Sequence, residues 1–213
     1  MKLYGFFRSS AAYRVRIALG LKSIAVDHAF VHLRRKDQQA PGYVEINPQA
    51  LVPTLITDSG QPLTQSLAIM EYLDEIQPSP ALLPKSPEDR AWVRSLALAV
   101  ACDIHPLNNT RVLGYLKEGM GLDQAAADRW YAHWIAVGLQ GLEAMLAKDS
   151  RVGPYCCGDQ VTLADICLVP QLFNAERMNC PTEAYPTIRR IAAALRALPA
   201  FQAAEPGRQP DAE

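Results

Sequence analysis

The chain has 213 residues, enough for a real core in one large domain or two smaller ones. Its 21 basic and 22 acidic residues nearly cancel, which excludes the basic bias of a nucleic-acid-binding protein. No stretch reaches the ~18 apolar residues of a membrane-spanning helix, so neither nucleic acid nor membrane is expected as a partner.

Met1-Lys2 leads at once into the apolar run Leu3–Phe6, read as a strand, with no room for a signal peptide. Ala12–Leu21 reads as a helix with Tyr13, Ile17 and Leu21 on one face, and Arg14 and Arg16 as surface charges. Ser9 and Ser10 therefore stand where a strand hands over to a helix N-terminus. Such a terminus carries unpaired N–H groups and a partial positive charge, and it favours an anion. Val26–Leu33 reads as a second strand, ending beside the solvated cluster Arg34-Arg35-Lys36.

After a break, Pro53 begins the apolar run Thr54-Leu55-Ile56, which suits the start of an edge or near-edge strand. Asp58-Ser59-Gly60 is a turn, and Pro62-Leu63 completes a hairpin. Gln65-Ser66 opens a helix with Ile69, Leu73 and Ile76 as its apolar positions. The order is β-α-β, then β-β-α.

Pro78, Pro80, Pro84 and Pro87 mark a domain boundary, giving domains of 1–80 and 87–213. Ser86-Pro87-Glu88-Asp89 is a helix start, with Ser as N-cap, Pro at the first helical position and acids in the first turn. No strand signal follows. Trp92, Leu96 and Val100 share one helical face, and Trp130, Trp134 and Leu139 suggest another buried stripe. Thr162-Leu163-Ala164-Asp165 fits a capping box with Asp in place of Glu. The tail after Phe201 is polar and reads as irregular.

The five cysteines have no disulfide framework or C-x-x-C spacing, which points to reduced thiols in a cytoplasmic protein. The Cys156-Cys157 pair reads as buried or incidental thiols. His28, His32, His105 and His133 have no ligand spacing, so no metal is expected. There is no glycine-rich phosphate loop, nucleophile elbow or zinc-protease motif.

Several separate motifs carry a family resemblance. Phe7-Arg8-Ser9-Ser10…Arg14-Val15-Arg16-Ile17-Ala18-Leu19, Asn47-Pro48…Val52-Pro53 and Gln65-Ser66 lie in the first half. Ile104-His105-Pro106-Leu107-Asn108-Asn109, Gly158-Asp159…Thr162-Leu163-Ala164-Asp165, Asn174-Ala175-Glu176-Arg177 and Arg208-Gln209-Pro210-Asp211 lie in the second. Together they resemble the zeta class of glutathione transferases, which includes maleylacetoacetate and maleylpyruvate isomerases. The resemblance implies an α/β thioredoxin-like N-terminal domain plus an all-α C-terminal domain, the glutathione transferase fold. It implies glutathione as cofactor and a homodimer.

The resemblance also implies the site. A cis Val52–Pro53 bond would present the Val52 backbone to glutathione as to an added strand. Gln65 and Ser66 would hold the γ-glutamyl end, Ser66 through its hydroxyl and N–H at a helix N-terminus. His105 and Asn109 are further cofactor-binding candidates, with a structural histidine an equal reading at His105. Ser9 and Ser10 would stabilise the thiolate, with Ser9 the main donor. Arg177 would bind a substrate carboxylate and assist catalysis, and Arg8 and Arg111 would complete a carboxylate clamp.

Serine suffices energetically. A thiol of pKa about 8.5 needs ~2.7 kcal/mol to fall by ~2 units. A helix N-terminus supplies ~0.3–1 kcal/mol, up to ~2 when partly buried. A hydroxyl hydrogen bond to a charge adds ~1.5–3 kcal/mol. This matters because Ala11 stands where the class usually has cysteine, and Tyr13 replaces a common Trp. The implied reaction is glutathione-dependent cis-trans isomerisation of a cis-enedioate by thiolate addition, bond rotation and elimination. A transferase conjugating small electrophiles such as α-halo acids, and a non-catalytic binding module, are the competing readings.

Overall fold

A computed structural model describes residues 1–213. The chain forms two compact units, Met1–Leu82 with Ala197–Glu213, and Leu83–Arg196.

In the first unit, β1 (Lys2–Gly5) is followed by α1 (Ser10–Lys22) and β2 (Asp27–Phe30). A short helix α2 (Pro41–Val44) precedes the hairpin β3 (Thr54–Ile56) and β4 (Pro62–Thr64), and α3 (Ser66–Ile76) closes the run. The sheet order is β2-β1-β3-β4. β1 pairs parallel with β2, Leu3 opposite His28, and antiparallel with β3, Leu3 opposite Leu55. The parallel pair needs a crossover, and α1 supplies it.

Three expectations shift here. The second strand is only Asp27–Phe30, because the chain turns into short 3-10 turns from Leu33 instead of staying extended. Ile76 is exposed, since α3 ends there and its buried apolar positions are Ile69, Met70 and Leu73. Arg14 and Arg16 are buried at 1% and 8% exposure, because every residue of α1 from Ala12 to Leu19 is covered.

The tail corrects the expected 87–213 domain. Ala197–Glu213 belongs to the first unit, and α9 (Pro199–Ala204) packs on α1. A Cβ added at Gly20 would sit 3.2 Å from the Ala200 Cβ, so the two helices meet where glycine leaves room. Phe201 is fully buried. A polar composition does not reveal this packing, because only Phe201, Ala204 and Pro206 of the segment are buried.

The end of α1 is tied to the end of α3. Lys22 is buried, and its Nζ donates to Asp74 Oδ1 at 2.5 Å, to the Gln77 carbonyl at 2.6 Å and to the Pro80 carbonyl. Asp74 Oδ1 also accepts the Leu82 N–H at 2.8 Å.

The second unit is helical: α4 (Pro87–Leu98), α5 (Thr110–Gly114), α6 (Gln124–Lys148), α7 (Leu163–Arg177) and α8 (Pro186–Arg196). Ser86 caps α4, its Oγ accepting the Asp89 N–H at 3.1 Å, with Pro87 at the first turn. The Thr162–Asp165 capping box is formed on α7. Asp165 goes further, because its second oxygen accepts the Cys156 N–H at 2.8 Å and ties the preceding loop to the helix. The buried stripe of α6 is Ala127, Tyr131, Ile135, Leu139, Leu142 and Leu146. Trp130 and Trp134 flank it half-buried, their rings 5.7 Å apart, and the Trp130 indole N–H donates to the Leu107 carbonyl at 2.8 Å.

Breaking a buried ion pair by deleting one partner strands the other, at about 3–5 kcal/mol. Lys22→Met should therefore lower stability by about 3 kcal/mol, read as a fall in the urea midpoint with unchanged slope.

Candidate functional site

The residues singled out in the first unit cluster where β1 turns into α1. Ser9 N donates to the Phe6 carbonyl at 3.0 Å, closing a four-residue turn with Phe7 and Arg8 at its centre. Ser9 is the N-cap of α1: its Oγ accepts the Ala12 N–H at 3.2 Å. That bond uses the oxygen as acceptor and leaves the hydroxyl proton to donate. Ser10 begins the helix and is buried, while Ser9 is only half-buried. Arg8 is half-buried, its guanidinium 4.9 Å from the Phe7 ring centre.

The Val52–Pro53 bond is cis. Val52 lies just outside the sheet ladder, which begins with Thr54 opposite Tyr4. The loop is held from both sides: Asn47 Nδ2 donates to the Leu51 carbonyl at 2.8 Å and to Thr54 Oγ1 at 3.0 Å. The Tyr43 hydroxyl donates to the same carbonyl at 2.6 Å. Val52 joins Phe6, Phe7, Val31 and Tyr43 in one apolar cluster, so the proline loop and the serine turn share a floor.

Gln65 is the N-cap residue of α3, yet its side chain makes no cap bond and its φ is 68°. A non-glycine residue there costs of order 1–3 kcal/mol, and such strain gathers at functional sites. The Gln65 side chain donates instead to Gln49 Oε1 at 3.1 Å. Ser66 is 6% exposed, and its Oγ accepts from Arg14 Nη1 at 3.2 Å. Arg14 Nε and Nη2 are buried with no hydrogen-bond partner. A buried cation thus touches the first residue of α3 through one neutral hydroxyl, adding positive charge to a helix N-terminus. Arg14 and Gln49 were not read as site residues from sequence; the serine at a helix start was the only local signal.

In the second unit, His105 opens a 3-10 turn, His105–Asn108, after a π-helical segment at Ala99–Ile104. Asn109 caps α5, its Oδ1 accepting the Arg111 N–H at 3.1 Å, which gives it a local folding task. Arg111 is exposed on α5. Arg177 ends α7, exposed, with its charge acting on the Tyr131 hydroxyl. Burial pushes that hydroxyl up to about 12, with Arg177 opposing the shift. Glu176 is held by Arg196 at 2.7 Å, so it does not neutralise its neighbour. Asn174 and Gln171, about one and two turns before Arg177 on α7, carry buried side-chain atoms with no partner, as does Asn108. Each such group calls for an explanation, a polar ligand or water among them.

Burial raises the Cys156 thiol well above its usual range and the Cys157 thiol less so, which disfavours the reactive thiolate.

The family model "Glutathione S-transferase, N-terminal domain" matches residues 1–75, and "Glutathione S-transferase, C-terminal domain" matches 124–203. The chain is 50% identical over 212 residues to a probable maleylacetoacetate isomerase of Vibrio cholerae, covering 99% of this chain and 97% of that protein. It superposes on a holo maleylpyruvate isomerase, described as a bacterial zeta-class glutathione transferase. The TM-score is 0.97 at 46% identity, with both chains fully covered. The chain belongs to the zeta class of glutathione transferases. A maleylacetoacetate isomerase of Methylobacterium extorquens AM1, solved with malonate and glutathione bound, aligns with TM-score 0.98 at 44% identity over all of both chains. The match of the glutathione transferase N-terminal model spans Ser9, Ser10, Val52, Pro53, Gln65 and Ser66. The C-terminal match includes Arg177 but not His105, Asn109 or Arg111.

Because two of its nitrogens are unpartnered, Arg14 contributes little to stability without an anion nearby. Arg14→Met should keep the melting temperature close to wild type in anion-poor buffer. Sulfate should raise the wild-type melting temperature by more than that of the variant, the difference reporting the anion at Arg14 over the general stabilisation by sulfate.

Proposed function

We propose that the protein is a glutathione-dependent cis-trans isomerase of a cis-enedioate such as maleylacetoacetate or maleylpyruvate. The single observation that carries this is Ser9 at the mouth of α1: a capping oxygen whose proton is left to donate, at a positive helix end. The isomerase names of full-length relatives support it, as do the malonate and glutathione bound in one of them.

Glutathione extends along Val52, whose backbone lies past the end of the β3 ladder. Its γ-glutamyl carboxylate sits at the start of α3, where Ser66 is backed by Arg14 and Gln65 is held by Gln49. The Ser9 hydroxyl and the α1 terminus stabilise the thiolate, with Ser10 the secondary donor. His105 and Asn109 are assigned to the cofactor side as well.

The thiolate then adds to one carbon of the substrate double bond, and the π electrons move onto the conjugated carbonyl as an enolate. The former double bond, now single, rotates. The enolate electrons return to re-form the double bond in the trans geometry, and the thiolate leaves. Glutathione is regenerated, and no redox partner or metal takes part. Arg177, whose charge acts on the Tyr131 hydroxyl, binds a substrate carboxylate and stabilises the developing enolate, with Arg8 and Arg111 completing the clamp. No helix is long and apolar enough to cross a membrane, and we assign the protein to the cytoplasm as a homodimer.

Catalytic glutathione with maleylpyruvate or maleylacetoacetate should give product in large excess over the glutathione supplied. Stoichiometric glutathione loss would identify a conjugating transferase, and no change would identify a binding module. Ser9→Ala should lower kcat about 10²-fold, as loss of one donor to a developing anion does elsewhere. It should also cost about 1 kcal/mol of stability through the lost cap. Arg177→Ala should raise the substrate KM while glutathione affinity stays within about twofold; an equal loss of glutathione binding would remove Arg177 from the substrate role.

A further inference from the structure

The turn that presents Ser9 is held by two groups from outside it. The Phe7 N–H donates to Asp211 Oδ2 at 2.9 Å, and the Phe7 carbonyl accepts from Arg16 Nη2 at 3.1 Å. Phe7 is the first central residue of the Phe6–Ser9 turn, so its carbonyl belongs to the central peptide. Type I and type II turns differ by a flip of that peptide. Arg16 fixes the orientation of the flipping carbonyl, and Asp211 fixes the peptide before it.

The Asp211 charge also acts on Arg16. Arg16 is 8% exposed and its Nε is spent on the Ala204 carbonyl at 3.1 Å. Burial lowers its pKa to about 10, and the Asp211 charge pulls it back up. The other titratable groups facing this pair are Tyr13, on α1, and His28, on β2. Asp211 reaches the turn from the far end of the chain. Gln209 anchors that approach, its Nε2 donating to the Ala203 and Glu205 carbonyls at 2.9 Å. Two residues further, Glu213 makes a separate fastening to His32 at 2.6 Å.

We propose that Asp211 is a positioning residue for thiolate activation: with Arg16 it clamps both peptide groups of Phe7 and so fixes where Ser9 points. This rests on the assignment of Ser9 as thiolate donor. Asp211 touches neither glutathione nor substrate. It acts through the backbone, and displacement of a reacting group by about 1 Å costs of order 10²-fold in rate. A loosened turn populates several Ser9 positions, and only one of them donates well to the sulfur.

The test compares Asp211→Ala, Asp211→Asn and Glu213→Ala with wild type, each as full-length protein. Three readouts are taken: kcat and KM, the pKa of the glutathione thiol in the binary complex, and hydrogen exchange of the amides of residues 7–10. Asp211→Ala should lower kcat about tenfold with the substrate KM within about twofold. It should raise the bound-thiol pKa by about one unit and speed exchange in the turn. Asp211→Asn keeps an oxygen acceptor for the Phe7 N–H and should fall between wild type and Asp211→Ala. Glu213→Ala loosens the tail without touching Phe7 and should match wild type in all three.

If Asp211→Ala lowers the melting temperature but leaves the thiol pKa and kcat unchanged, the tail is a structural fastening and the proposal is wrong. It is equally wrong if Glu213→Ala reproduces Asp211→Ala. A wild-type protein that neither depresses the thiol pKa nor turns over substrate overturns the functional assignment instead. In that case unchanged exchange in Asp211→Ala would remove the clamp as well.

Discussion

The arrangement of the first unit depends on how the chain leaves β1 and enters α1. It emerges from a central strand, must reverse within the Phe6–Ser9 turn, and must end with an open helix N-terminus. The turn sits on the cluster of Phe6, Phe7, Val31, Tyr43 and Val52, which also floors the Pro53 loop. The serine that caps the helix and the backbone that precedes β3 are therefore fixed by one patch of apolar packing. Packing at native density transmits small displacements, so neither side can move alone.

The second constraint is charge. α1 is buried along most of its length and still carries two arginines. Arg16 is satisfied by two carbonyls and a nearby carboxylate, and its task is internal. Arg14 meets only the Ser66 hydroxyl, and two of its nitrogens are left without partners. The first fixes a loop, and the second leaves a positive field at the start of α3 that an anion can satisfy. Two residues apart on one helix, one arginine is spent on backbone carbonyls and the other is left with two unpartnered nitrogens.

What was legible in the sequence was what local chemistry dictates. The Ser86 cap with Pro87, the Thr162–Asp165 box and the serine pair at a strand-helix junction are short-range patterns, and each formed as read. The β-α-β, β-β-α order came from the pattern of apolar runs and turns, and the resemblance supplied the cis Val52–Pro53 bond. What escaped were facts set by distant packing. Arg14 and Arg16 look like surface charges because arginine is rarely buried, and only the tail and the neighbouring elements of the unit cover them. On α6 the buried stripe takes Tyr131 and Ile135 in place of the neighbouring Trp130 and Trp134, and keeps Leu139. Asp211 lies 204 positions from its partner Phe7, and no periodicity links them. The serine pair was legible in sequence; the groups that hold its turn, Arg16 and Asp211, were not.

The central claim is that a serine hydroxyl and a helix end lower a thiol's pKa with no cysteine or histidine at Ala11 or beside it. The most direct measurement is a pH titration of thiolate ultraviolet absorbance in the complex with glutathione, for wild type, Ser9→Ala and Ser10→Ala. The account predicts a wild-type midpoint about 2 units below the free thiol's value near 8.5. Most of that depression should vanish in Ser9→Ala and only a smaller part in Ser10→Ala. A wild-type midpoint equal to that of free glutathione, or a depression untouched by Ser9→Ala, would contradict it.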